Sequence, residues 1–170
     1  MQEEPALGPE FDALQDTVPS DPSAIARIHA LVAEELFAVL CTQGEGQPYG
    51  SVVAFAFDHD LRSFVFATPK ATRKFRLLSQ CDRVALVVDN RGKYPGDLMK
   101  VGAVTITGKA QQLEAGREFD EGAGLLTARH PYLKSFVESP STALFRVDAV
   151  RFLHVTRFQE VRQWIPASDG

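Results

Sequence analysis

The chain has 170 residues, 45% of them apolar and 24% charged, with a net charge of −4. That length and composition suit one globular domain able to bury a core without disulfides or a structural metal. The acidic balance argues against a general nucleic-acid or anionic-membrane binder, and no apolar run reaches the ~20 residues of a membrane span. The acidic start, MQEEPALGPE, lacks the apolar stretch of a secretory leader, so the expected location is cytoplasmic. Cys41 and Cys81 have no partner motif and read as reduced thiols. His29, His59, His130 and His154 show no metal-ligand spacing.

Residues 1–22 are acidic and rich in proline and read as a flexible N-terminal arm, or an extension lying on a neighbour; residues 23–170 form the domain. From Asp21-Pro22, apolar Ile25, Ile28, Val32 and Leu36 recur at three- and four-residue steps, which predicts a helix over about 22–36. Strands then follow closely: LFAVLCT, a GEGQP turn, YGSVVAFAF, a DHDLR turn, and SFVFAT. In 49–57, Val53, Phe55 and Phe57 alternate with Val52, Ala54 and Ala56, so both faces of one continuous strand are expected to be covered. A short helix over about 72–80 leads to the strand RVALVVD, and a Gly- and Pro-rich loop, NRGKYPGDLM, follows. In the long strand KVGAVTITGKAQQL, Gly102 and Gly108 mark bulges or close backbone approach. Residues 114–138 are weakly helical, with Gly116, Gly122 and Gly124 opposing helix and Pro131 opening a new turn. TALFRVDAVRFLHV is a strand whose alternation slips near Asp148-Ala149, which predicts a bulge, and RFQEVRQWIP is the last strand. Six or seven strands with few helices describe a mainly β antiparallel barrel with peripheral α-helices, since closure removes exposed edges. A doubly wound sheet is excluded because the first three strands have no helix between them.

Chemistry concentrates in FVFATPKATRKFR. Lys70, Arg73, Lys74 and Arg76 place four cations within seven residues of an acidic chain, beside the hydroxyls of Thr68 and Thr72. Thr72 is the expected N-cap, which puts Arg73 and Lys74 in the first helical turn. Free N–H groups already make that turn partly positive, so each cation there is unfavourable by about 0.3–1 kcal/mol. A bound phosphate reverses the sign; a solvated basic face without a ligand is the other reading.

FATPKATRK resembles the segment of pyridoxamine 5′-phosphate oxidase and its relatives that reads aromatic, any residue, Thr, three variable residues, Ser/Thr, Arg, Lys. The resemblance implies a six- to seven-stranded split β-barrel of the FMN-binding type. It also implies a phosphate grip formed by Thr68, Thr72, Arg73 and Lys74, with Ala67 beside them among the cofactor-binding residues. GQPYGSVVAFAFD is similar to the family's preceding strand, especially in the haem-degrading branch, and implies that Ser51, Val52 and Val53 lie along the flavin ring. The resemblance further implies a homodimer with flavin at the subunit interface and a small-molecule substrate or electron donor. Trp164, the only Trp, is a candidate to pack on the flavin of a partner subunit; ordinary core or dimer packing is its other reading. Two departures stand out. The strand 50–57 lacks the oxidase's Arg and Lys, and the C-terminus lacks its basic, His-containing segment. FMN binding is therefore expected more firmly than pyridoxamine oxidation. Haem is the alternative cofactor, with His154 or His130 as axial ligand, and a non-catalytic flavin-binding protein is the third reading.

Overall fold

The computed structural model describes residues 19–157 and 160–167. Eight strands form one antiparallel sheet: β1 Phe37–Gly44, β2 Gln47–Ala54, β3 Ala56–Phe57, β4 Ser63–Pro69, β5 Arg83–Asp89, β6 Ala103–Leu113, β7 Thr142–Thr156 and β8 Glu160–Trp164. Among the described residues, four α-helices accompany them: α1 Ala24–Glu34, α2 Arg73–Gln80, α3 Arg117–Arg129 and α4 Lys134–Glu138. The strand order is β2-β1-β5-β6-β7-β4-β3, with β8 on β7. Its two ends, β2 and β3, are neighbours in the chain, so the segment 47–57 closes the sheet on itself.

That closure corrects the expectation of one continuous strand over 49–57. β2 pairs with β1 up to Phe37↔Ala54, and β3 pairs with β4 at Ala56↔Val65 and Phe57↔Phe64. Phe55 is the switch between them. Its ring is fully buried, and its carbonyl meets His130 Nε2 at 2.9 Å instead of a strand partner. The guanidinium of Arg129 lies 4.8 Å from the Phe55 ring and 5.0 Å from that of Phe57. The same guanidinium donates to the carbonyls of Val32 and Glu35, each at 2.6 Å, and so caps the C-terminus of α1. Burial depresses the proton affinity of Arg129 without threatening its charge.

The main core fills the barrel and includes the fully buried Phe55, Phe64, Phe66 and Phe152. α1 plugs one end with Ala24, Ile28, Leu31 and Val32, which follows from their helical spacing. A second cluster, with Val65, Leu126, Val137 and Leu144, lies where α3 and α4 cover the outside of β4 and β7. Gly122 permits this packing, because a Cβ there would meet Leu113 at 3.0 Å and Leu144 at 3.3 Å. The glycine that opposes helix in the sequence is thus what lets the helix lie close. The outer face of β1 and β2 has no such cover: Val52 is 68% exposed and Phe37 53%.

Other expectations meet the structure as follows. Glu45 and Gly46, both at positive φ, make the two-residue β1–β2 turn. The register of β6 and β7 shifts between Thr107 and Gly108, opposite the anticipated bulge. Gly102 meets nothing closer than 3.8 Å, so close approach explains Gly108 and not Gly102. Pro131 opens a short 3-10 turn between α3 and α4. Of the anticipated arm, residues 1–18 lie outside the described residues; Ser20 bridges in parallel to Gln163, and the Asp21 N–H donates to the Gln163 carbonyl at 2.7 Å. Phe158 of the anticipated last strand also lies outside them. Cys41 and Cys81 are free and half-buried. None of the described helices is long and apolar enough to cross a membrane.

Gly108→Ala tests the bulge. A Cβ would fall 2.4 Å from the Asp148 carbonyl oxygen, a backbone atom that cannot swing aside. The variant is expected to lose about 1–3 kcal/mol of stability in denaturant unfolding, whereas Gly92→Ala, in open space, shows no loss from a clash.

Candidate functional site

β4 ends in Thr68 and Pro69, and the chain turns into α2. The Lys70 N–H donates to the Ser141 carbonyl at 2.8 Å, which ties this turn to the start of β7. Thr72 has extended backbone and its Oγ1 accepts from the Phe75 N–H at 3.2 Å, so it is the N-cap the sequence predicts. The Thr72 hydroxyl donates to the Pro69 carbonyl at 2.9 Å. Its 3.1 Å contact with the fully buried Thr68 hydroxyl is therefore donated by Thr68. Thr68 thus fixes the cap from inside the barrel.

The first turn of α2 holds no acidic residue. Among the described residues, no carboxylate lies within ion-pair distance of Lys70, Arg73, Lys74 or Arg76. Lys70, Ala71, Thr72, Arg73 and Arg76 border an open hollow of about 350 Å³. Lys74 is half-buried and does not border it; burial lowers its proton affinity. Lys70, Arg73 and Arg76, a positive helix end and no counter-charge among the described residues make a basic cradle suited to an anion.

The cradle stands beside a split in the barrel. β4 pairs with β3 only at Phe64 and Val65, so its edge from Phe66 onward is free, as is the outer edge of β2. A two-residue hairpin closes on a hydrogen-bonded pair, here Gly44↔Gln47. By alternation, the N–H groups of Tyr49, Ser51 and Val53 turn toward β1, and those of Gly50, Val52 and Ala54 point to the free edge. Tyr49 connects the two parts, its ring lying 5.2 Å beneath the Arg73 guanidinium. The sequence reading gives Tyr49 no role, although it shares a strand face with Ser51 and Val53.

The other candidates divide by strand face. Ser51 points inward, and its buried Oγ has no hydrogen-bond partner. Val53 is 5% exposed and belongs to the core, whereas the Val52 side chain projects outward. Ala67 packs against the second cluster, so only its backbone can face the split. Trp164 lies 4.7 Å from Phe152 on β7, far along that strand from the Ala143 that pairs with Thr68, so the structure does not bring it to the cradle of its own chain. His130 is 1% exposed with Nε2 engaged, and His154 is 4% exposed at the end plugged by α1. Among the described residues, no group of His, Cys, Asp and Glu could hold a metal ion.

Three features bear on whether the residues present could hold a flavin phosphate and ring: the unbalanced cations, the partnerless Ser51 hydroxyl, and the unpaired edge of β2. The family profile described as Pyridoxamine 5′-phosphate oxidase matches residues 25–156. No curated protein matches the sequence. Among solved structures, a heme binding protein from Mycobacterium smegmatis superposes with a TM-score of 0.76 at 18% identity, over 86% of this chain and 60% of its own. This chain thus spans about 60% of that protein's length. HutZ, the heme storage protein from Vibrio cholerae, superposes with a TM-score of 0.65 at 16% identity, over 74% of this chain and 89% of its own. A FAD-binding protein from Mesorhizobium loti gives 0.62 at 15% identity, over 76% and 90%. At these identities the likenesses show the split-barrel fold.

Thr72→Ala removes the cap, and with it the partner of Thr68. It is expected to cost about 1 kcal/mol in denaturant unfolding, with Thr72→Ser restoring most of the loss.

Proposed function

The chain belongs to the pyridoxamine 5′-phosphate oxidase family, and on that footing we propose that it binds FMN and acts as a flavin-dependent oxidoreductase on a small-molecule substrate or electron donor. One observation carries the reading: Lys70, Arg73 and Arg76 border a hollow at a helix N-terminus, with Lys74 half-buried in the same turn and no carboxylate among the described residues to balance them, beside the open edge of β2. Thr72, Arg73 and Lys74 hold the phosphate, and Thr68 fixes Thr72. Tyr49 sets the direction of the Arg73 guanidinium. Along β2, the N–H groups of Val52 and Ala54 are the donors available to a flat heteroaromatic ring, and the Ser51 hydroxyl is the side chain that lacks a partner. Bound there, FMN supplies the electron chemistry, while the protein supplies grip, orientation and N–H donors that tune it. The chain is read as an FMN-dependent enzyme rather than as a pyridoxamine oxidase, since residues 50–57 are only small and apolar where the oxidase has basic ones.

The assembly that fits this site is a homodimer. The outer face of β1 and β2 carries Phe37 and Val52, exposed by 53% and 68%, with no helix over it. A second copy of the same face would cover these side chains and wall the split. The cytoplasm remains the expected location.

Freshly purified protein should absorb near 450 nm, or take up added FMN and acquire that band. The double variant Arg73→Glu, Lys74→Glu should bind FMN roughly a hundredfold more weakly, because two charge-assisted contacts are lost, while its circular dichroism stays that of the parent. A colourless protein that takes up no FMN overturns the reading. A Soret band on haem addition in such a protein would favour haem instead, consistent with the M. smegmatis and V. cholerae relatives; His130 and His154, both buried, would then have to be uncovered to serve as ligands. Sedimentation should give twice the chain mass, and Val52→Glu, which places a charge on the uncovered face, should give the single-chain mass and weaken FMN uptake.

A further inference from the structure

We propose that the hollow beneath α1, at the end of the barrel remote from the phosphate cradle, is a second ligand site, built for a small organic carboxylate. The cavity measures about 310 Å³. α1 contributes Arg27, Leu31 and Glu34, whose carboxylate is held by Lys93; the loop between β5 and β6 contributes Asn90 and Lys100, and β7 contributes His154 and Thr156. It opens at His154 on β7, eleven residues along that strand from the Ala143 that pairs with Thr68 beside the cradle, which separates the two places by roughly 30 Å.

Polar groups converge there without being satisfied. His154 is 4% exposed on the inward face of β7, and its buried Nδ1 has no hydrogen-bond partner. Burial, assisted by the charges of Arg27 and Arg162, holds this imidazole below its ordinary proton affinity. It therefore presents as a neutral ring. Asn90 Oδ1 accepts from the Gly102 N–H at 2.8 Å, which leaves its amide NH2 as a donor.

The charge count selects the ligand. Lys93 holds Glu34 at 2.6 Å, Asp97 lies 3.4 Å from Lys100, and Asp21 lies 3.5 Å from Arg162. Arg27 makes no ion pair among the described residues. One uncompensated positive charge fits a monoanion better than a phosphate dianion. A guanidinium fork matches a carboxylate in two contacts, and Ala30, Leu31 and Gly102 offer a short apolar wall for the body of the molecule. A buried imidazole nitrogen without a partner is unfavourable in the empty site, and a carboxylic ligand with its bound water gives it one.

The test uses the full chain, ¹⁵N-labelled at histidine, with benzoate as probe and inorganic phosphate as comparator. Benzoate should shift the His154 ring signals saturably, and Arg27→Gln should weaken that binding roughly tenfold while FMN uptake is unchanged. Arg27→Lys, which keeps the charge and loses the fork, should fall between the two. The proposal is overturned if benzoate gives no saturable shift, if Arg27→Gln binds it as tightly as the parent, or if phosphate binds more tightly than benzoate. FMN uptake is read in the same samples, so this result stands or falls separately from the flavin assignment.

Discussion

The change of partner at Phe55 is the constraint on which the molecule turns. A strand that ran through this point on β1 alone would leave β4 without an inner neighbour and the barrel open. A strand that ran through on β4 would strand β1. The chain instead breaks its pairing for one residue, and the carbonyl released there is satisfied by His130 Nε2. An unpaired buried carbonyl would otherwise cost about 1–3 kcal/mol. Arg129, next to it in sequence, joins the C-terminus of α1 to the aromatic rings at the break. Two adjacent residues at the end of α3 thus hold together the plug, the closure and the split.

The split has a chemical consequence. Because β2 pairs on one edge only, its other edge keeps a row of backbone donors within the barrel wall. Exposed edges ordinarily invite aggregation. Here the edge runs toward a helix N-terminus crowded with cations, and Tyr49 spans the gap to Arg73. Local rules disfavour cations at that turn. An arrangement unfavourable by itself and favourable with an anion is what supports the proposed phosphate site, and the partnerless His154 beside Arg27 supports the proposed site at the other end of the barrel.

The uncovered face of β1 and β2 is the third element. The alternation in 49–57 correctly shows two apolar faces, but the cover differs between the halves. α3 and α4 cover the outside of β4 and β7, so Ala56 and Val65 are buried, while Val52 is left open. The same pattern of residues is thus a core strand at one end and an unpartnered surface at the other.

Much of this was legible in the amino-acid order because it is local. Periodicity marks α1, turn residues mark the β1–β2 hairpin, and Thr72 with its hydroxyl and its place before RKFRLL marks a helix start crowded with cations. The slip at Asp148-Ala149 marks the bulge because a period of two cannot hide an extra residue. What the order could not show depends on residues far apart in the chain. The break at Phe55 is decided by His130, 75 positions away. Tyr49 gains its role only when β2 folds beside α2, and Trp164 finds Phe152 across a strand pair in its own core. His154 looks like any strand histidine until α1 closes over it. Local backbone preferences read as sequence, whereas partner choice and burial are set by long-range packing, which has no period to announce it.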